Sequence, residues 1–217
     1  FSHPDPTVKR KSGFLTPIYG SSSVNGSWVN IPYFKVINKE KDLTFNPRIY
    51  ADDKFIIQSE YRQEFANSNL ITDFSYNKKN NSDYHLFTSL KRDFEDSFYE
   101  MKIETVSDND YLKRYQIKSP LIENYSTLNS LISYEKNTDD YSFASSVNVI
   151  NNLTKEGADK YEYVIPNYEF SKENSLNGKI FETLNFSSKG NYRKFNTNVD
   201  EAEIINSFIF SSSDQNQ

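Results

Sequence analysis

Apolar side chains recur in this chain with a period of two, and that alternation constrains the fold more than any other feature. Between Asp42 and Ala51, Leu43, Phe45 and Ile49 fall on one parity while Thr44, Asn46 and Arg48 fall on the other. From Phe55 onward, Phe55, Ile57 and Tyr61 oppose Gln58, Glu60 and Arg62. Successive side chains of a strand point to opposite faces, so the pattern builds a sheet with one aromatic and one polar face. It returns in residues 84–91, 99–105, 128–134, 141–150, 161–168, 180–188 and 204–210. About eleven or twelve strands of roughly ten residues each are predicted, the length a tilted strand needs to cross a bilayer. Short polar connections at residues 38–41 and 51–54 suit hairpins. The fold class read from the chain is all-β: an antiparallel up-and-down meander forming a partial transmembrane β-barrel.

Composition agrees with such a sheet. The 217 residues include 17 Phe and 16 Tyr, yet only 36% are hydrophobic and the mean hydropathy is −0.76. That is too polar for a packed two-layer globule and too aromatic for a disordered chain. A net charge of −5 without a basic stripe argues against nucleic-acid binding. The absence of cysteine removes disulfides and thiolate metal sites. No run approaches the length of a membrane-spanning helix. Phe1-Ser2-His3-Pro4-Asp5-Pro6 has no basic start followed by an apolar core, and both ends read as those of a piece of a longer protein.

Pro17, Pro32 and Pro47 each sit inside a segment that otherwise reads as strand. Proline has no N–H for the ladder and belongs at strand starts, edges or bulges. Pro17 and Pro32, in the first two neighbouring strands, describe a weakly hydrogen-bonded seam; Pro47 and Pro166 read as ordinary edge or bulge prolines. One connection is long. Residues 107–124 contain a stretch from Asp108 to Tyr115 suited to a helical turn started by an Asp cap and ended before Pro120. Alternating strand directions put this connection at the same end as those at 20–26 and 151–159.

Catalytic and metal chemistry find little to use. His3 and His85 are the available imidazoles, and neither has a serine or carboxylate constellation evident in sequence. There is no nucleophile elbow and no phosphate-binding glycine loop. The pairs Asp52-Asp53 and Asp139-Asp140, and Asp108 to Asp110, read as solvated loop tips. No cofactor or metal site is expected, and the chain is not read as an enzyme.

Several blocks carry a family resemblance. The stretch from Phe1 to Pro17, then Ile31-Pro32-Tyr33-Phe34, residues 42–50 and Glu60-Tyr61-Arg62 resemble the LPS-assembly outer-membrane protein family LptD, also called organic solvent tolerance protein. Val106-Ser107-Asp108 with Tyr111-Leu112, and residues 164–169, resemble later landmarks of the same family. His3 to Arg10 looks closest to its alphaproteobacterial branch. The resemblance implies that residues 1–11 are the tail of a periplasmic jelly-roll (OstA-like) domain and 12–217 the first part of a large outer-membrane barrel. It implies a function in lipopolysaccharide transport at the outer membrane of a Gram-negative bacterium, the lipid leaving through a lateral gate near the first strands. Pro17 and Pro32 fall on the gate positions. The implied partners are lipopolysaccharide, a plug lipoprotein (LptE-like), a periplasmic bridge protein (LptA-like) and outer-membrane lipids.

If the aromatics face lipid, Glu60, Arg62, Glu64, Lys102 and Glu104 face the lumen, where they would contact the plug or the lipopolysaccharide head group. Pairing across strands is the plainer reading of each. Trp28, Tyr33 and Phe34 are candidates for an aromatic girdle. The alternative function is a generic outer-membrane barrel or porin, or a secreted β-rich binding module whose aromatic face packs on a second sheet.

Overall fold

The computed structural model describes residues 10–52, 54–77, 83–176, 180–195, 197 and 199–212. Of the segment assigned to a jelly-roll tail, residues 1–9 lie outside these. Fourteen strands follow in chain order: β1 (Gly13–Phe14), β2 (Ile18–Ser22), β3 (Gly26–Asn30), β4 (Tyr33–Val36), β5 (Lys41–Tyr50), β6 (Phe55–Phe65) and β7 (Ser68–Asn77). They continue with β8 (Asp83–Asp93), β9 (Ser97–Val106), β10 (Thr127–Asn137), β11 (Tyr141–Asn152), β12 (Tyr161–Ser175), β13 (Thr183–Phe195) and β14 (Val199–Ser211). A single turn of helix, α1 (Tyr111–Arg114), and a 3₁₀ turn at Gly157–Lys160 interrupt the sheet. Each strand from β4 to β14 pairs with the next in sequence, which is the expected meander. The strand count exceeds the expected eleven or twelve because the first two crossings are each broken in two; with each broken crossing counted once, twelve remain.

The chain divides into two compact units, residues 1–90 with 103–125, and residues 91–102 with 126–217. In the first unit the registers carry the parity pattern across strands. Thr44 pairs with Glu60 and Glu60 with Asp73, while Phe45 pairs with Ser59 and Ser59 with Phe74. The polar face is the covered one: Asp73, Ser75, Asn77 and His85 are fully buried and Asp42 nearly so. The apolar face is open, with Tyr19 at 87% and Phe14 at 75% exposure. This reverses the usual arrangement of a soluble sheet, which buries its apolar side.

In the second unit, β10 to β14 form a regular ladder. Register shifts occur between Ser146 and Asn148 on β11 and between Val164 and Asn167 on β12, and the second takes in Pro166, a bulge proline as expected. The open face carries a row of rings across four strands. Tyr141 lies 6.1 Å from Phe170, Phe170 lies 6.1 Å from Phe186, and Phe186 lies 4.9 Å from Phe208. The opposite face is polar, and Glu100, Ser133, Glu135, Ser146, Asn167, Glu169 and Lys189 line a shallow groove there.

Candidate functional site

Hydrogen bonding in the first crossings fails at one level. β1 and β4 share two pairs, Gly13 with Phe34 and Phe14 with Tyr33, while β2 and β3 share five, from Ile18 with Asn30 to Ser22 with Gly26. Between them, residues 15–17 face residues 31–32, so one strand carries an extra residue, the geometry of a bulge. The Leu15 amide donates to the Pro32 carbonyl at 2.9 Å. Neither Pro17 nor Pro32 has an N–H to add. Both therefore sit inside the interruption.

The same level is broken on the other side of that strand. β3 pairs with β5 through Trp28, Val29 and Asn30, and β4 through Tyr33 to Val36, in one continuous register that skips Ile31 and Pro32. In this register Ile31 faces Pro47. The Ala51 amide donates toward β3, to the Ser27 carbonyl, and the Tyr50 amide donates toward β6, to the Lys54 carbonyl. Backbone groups alternate sides along a strand. Odd-numbered residues of β5 thus point to β3 and β4, so the nitrogen of Pro47, which has no hydrogen, faces Ile31. Pro47 belongs to the same interruption as Pro17 and Pro32. Sequence alone set it apart, because its parity relative to the neighbouring strand is visible only in the register.

Of the predicted polar wall, Glu60, Arg62 and Glu64 share the polar face of β6, and Lys102 and Glu104 share one face of β9. Arg62 donates through Nε to Asp42 at 2.8 Å on the neighbouring strand and lies 3.5 Å from Glu60. Arg10 also contacts Asp42. The Asn69 amide donates to Glu64. Asp42, which the sequence reading passed over, is the buried centre of this network. The girdle candidates divide. Tyr33 shares a face with Phe14 and Phe45, but Trp28 and Phe34 lie on the polar face, since they pair with Tyr50 and Thr44. Trp28 carries the Arg48 guanidinium 4.6 Å from its ring centroid, and Arg10 lies 5.6 Å from that of Phe34.

The long connection after β9 folds onto this polar face. Tyr111, Leu112, Tyr115, Ile117 and Ile122 are buried on it, together with Tyr50, Ile56 and Phe87 of the sheet. An Asp opens the helical turn, but Asp110 occupies the cap position without a side-chain bond. Asp108 Oδ1 instead accepts from the Asp110 amide and the Arg114 guanidinium, both at 2.9 Å. The turn ends at Arg114, well before Pro120, because Gln116 takes the left-handed backbone (φ 49°) and reverses the chain. The Asn25 side chain donates to the Arg114 carbonyl at 2.5 Å. Two of the connections expected at one end therefore meet.

At the centre of the fold-back, Ser75 Oγ lies 2.5 Å from His85 Nδ1 and 2.7 Å from the Tyr111 hydroxyl, and Asp73 Oδ2 lies 3.5 Å from His85 Nε2. No serine or carboxylate constellation around His85 is evident in the sequence; the fold brings Ser75 and Asp73 to it. The arrangement is an anchor rather than a nucleophile. Ser75 and His85 are fully buried, Tyr111 covers the serine hydroxyl, and His85 Nε2 makes no hydrogen bond. Burial pushes the Tyr111 hydroxyl up to about 12, opposed by the bond to Ser75, and raises that of Tyr115 as well. Among the described residues no group of three His, Cys, Asp or Glu side chains could hold a metal ion.

No protein-family profile matches the chain. A stretch of 56 residues is 42% identical to the LPS-assembly protein LptD of Cupriavidus pinatubonensis, covering 26% of this chain and 7% of that protein. About a quarter of the chain is LptD-like. A 54-residue stretch is 41% identical to LptD of Ralstonia nicotianae and, at the same length and identity, to LptD of Shewanella oneidensis; each covers 25% of this chain and 7% of the relative. None of these relatives lends support to the alphaproteobacterial placement. Among the described residues no helix is long and apolar enough to cross a membrane, which says nothing of crossing by strands.

Proposed function

We propose that this chain forms part of an outer-membrane β-barrel that assembles lipopolysaccharide into the outer leaflet of a Gram-negative envelope. The observation that carries the reading is the reversed sheet, whose polar face is covered and whose aromatic face is open. Lipid solvates such an apolar face, and a hydrated lumen suits such a polar one. A secreted module would need a second layer over the aromatics, whereas Phe14, Tyr19, Phe208 and Phe210 are all exposed. The LptD-like quarter of the chain supports lipopolysaccharide as the cargo.

The lateral gate in this reading is the strand pair interrupted at Pro17 and Pro32. Each missing net hydrogen bond lowers the cost of parting strands by about 0.5–1.5 kcal/mol. The polar wall of Glu60, Arg62, Glu64, Lys102 and Glu104 serves contact with a plug lipoprotein (LptE-like) or with the passing head group, and a periplasmic bridge protein (LptA-like) delivers the lipid. The test is photo-crosslinking in cells, in the full-length protein, with the probe at Tyr19 or Tyr33, both on the apolar face. Lipopolysaccharide adducts at these positions, reduced when Pro17 and Pro32 are both replaced by Thr, are the expected result. No adducts, with surface lipopolysaccharide unchanged by the double replacement, would remove the gate.

A further inference from the structure

On the open face of the second unit, positive charge collects where the rings do. Tyr141, Lys172, Phe186 and Phe208 pair one after another across β11 to β14 and form a single rung. In the next rung Lys136 pairs with Phe143, and Phe143 with Phe170. The Lys136 ammonium lies 5.9 Å from the centroid of the Tyr141 ring, and Lys172 stands opposite Tyr141 on the other neighbouring strand. The two lysines thus flank β11 from β10 and β12, two strand spacings across and two residues along, about 12 Å apart at the backbone. That is within reach of two extended lysine stems. Acid is kept off this part of the face. All six glutamates of β10 to β14, Glu135, Glu162, Glu169, Glu173, Glu201 and Glu203, pair onto the groove side. Asp200, the acid that these strands carry on the open face, stands at their other end, opposite Lys194. The turn acids Asp96, Asp139 and Asp140 lie past the strand ends, and among the described residues neither lysine makes an ion pair.

We propose that Lys136, Lys172 and Tyr141 form a binding site for the phosphate of an anionic phospholipid, whose acyl chains lie along Phe143, Phe170 and the apolar residues further down the strands. The proposal rests on the barrel reading above and adds a ligand other than the cargo. The sign of the charge carries it. Hydrocarbon excludes both signs alike, so a lipid-facing wall explains why charge is confined to strand ends. It does not explain why this end of the face carries lysine and no acid. A negatively charged head group does, because it attracts each ammonium and repels a carboxylate. The Tyr141 hydroxyl supplies a further donor to a phosphate oxygen, and the ring row sets the depth, since such rings gather at the level of the head groups. The strands meet here through the short turns at residues 94–96 and 138–140. Outer-membrane barrels direct short turns to the periplasm and long loops outward. The ligand is therefore a lipid of the inner leaflet, a phospholipid such as phosphatidylglycerol.

The test uses the full-length protein in phosphatidylcholine vesicles that carry phosphatidylglycerol as the minor lipid. A photo-crosslinking probe is placed at Phe143, beside Lys136 and Tyr141, and separately at Ile132, midway along β10 on the same face. The expected result is that adducts at Ile132 follow the bulk lipid ratio while those at Phe143 are enriched about tenfold in phosphatidylglycerol. The enrichment disappears in the double variant Lys136→Gln, Lys172→Gln and persists in Lys189→Gln, which removes a cation from the groove side. Adducts at Ile132 in the double variant report that it is still inserted. Adducts in the bulk ratio at both positions, or an enrichment at Phe143 that survives the double replacement, overturn the site and leave the barrel standing. If lipopolysaccharide added to the same vesicles displaces phosphatidylglycerol from Phe143, the phospholipid assignment is overturned in favour of the cargo. Lipid adducts at neither position overturn the barrel reading and the site with it.

Discussion

A serine, a histidine and a tyrosine from three separate segments decide whether the long connection stays on the sheet. Tyr111 reaches Ser75, and Ser75 reaches His85, all without solvent contact. Tyr111→Phe removes one bond from this chain but keeps the ring beside His85 and Tyr115, so the expected cost is about 1–2 kcal/mol. Faster hydrogen exchange at Leu112, Tyr115 and Ile117, with the amides of β13 and β14 unchanged, is the readout. The pH dependence has a definite sign. The Tyr111 hydroxyl is held above its ordinary value of 10, at about 12, chiefly by burial, so the folded state keeps the proton more tightly. Its stabilisation is complete below pH 10 and is lost as pH rises toward 12, a span worth about 3 kcal/mol. Ultraviolet titration of tyrosinate should show a late-titrating phenol that disappears in Tyr111→Phe, and loop exchange should rise in step with it. Nothing in the sequence announces this cluster. Asp73, Ser75, His85 and Tyr111 are scattered along the chain, and only the fold-back of the loop makes them neighbours.

Strand elements were far more legible, because a period of two is a local property. Leu43, Phe45 and Ile49 against Thr44, Asn46 and Arg48 was enough to assign both faces of β5, and the pairing kept that assignment across β6 and β7. What one strand cannot reveal is its register against the next. That is why Trp28 and Phe34 read as girdle aromatics yet face the polar side, and why Pro47 read as ordinary. With its hydrogen-less nitrogen facing Ile31, Pro47 extends the broken level from the first strand pair to the second. Pro47→Thr supplies a donor to the Ile31 carbonyl and favours extended backbone. The expected outcome is slower exchange at Val29 and Tyr33 and a stability gain of about 0.5–1.5 kcal/mol. If the level acts as a hinge for the strands before β5, the same change lowers lipopolysaccharide delivery to the surface while the protein's abundance holds. Faster exchange at Val29 and Tyr33 would mean that Pro47 fits the sheet better than a residue with a donor does.

At the scale of the whole molecule, the question is what solvent the aromatic face meets. Water and lipid give opposite answers to one substitution. Ile132 is half exposed, pairs with Val147, and sits midway along β10 on the face that also carries Tyr134 and Phe143. On a water-exposed face Ile132→Arg is close to neutral, since the substituted side chain exchanges an exposed hydrocarbon for a solvated charge. In a bilayer midplane the same change costs about 2–4 kcal/mol, falling to about 0–1 near the interfaces. Phe186 lies in the ring row of Tyr141, Phe170 and Phe208, close to the ends of its strands, so Phe186→Arg belongs to the mild class if that row marks an interface. Ser133 alternates with Ile132 and points to the polar groove, so Ser133→Arg tests the opposite face of the same strand. The full-length protein refolded into lipid vesicles should therefore lose most stability with Ile132→Arg, less with Phe186→Arg and least with Ser133→Arg, as read from urea titrations. A flat response across the three, or a larger loss at Ser133 than at Ile132, would mean that the aromatic face is not in lipid, and the barrel reading would fall with it.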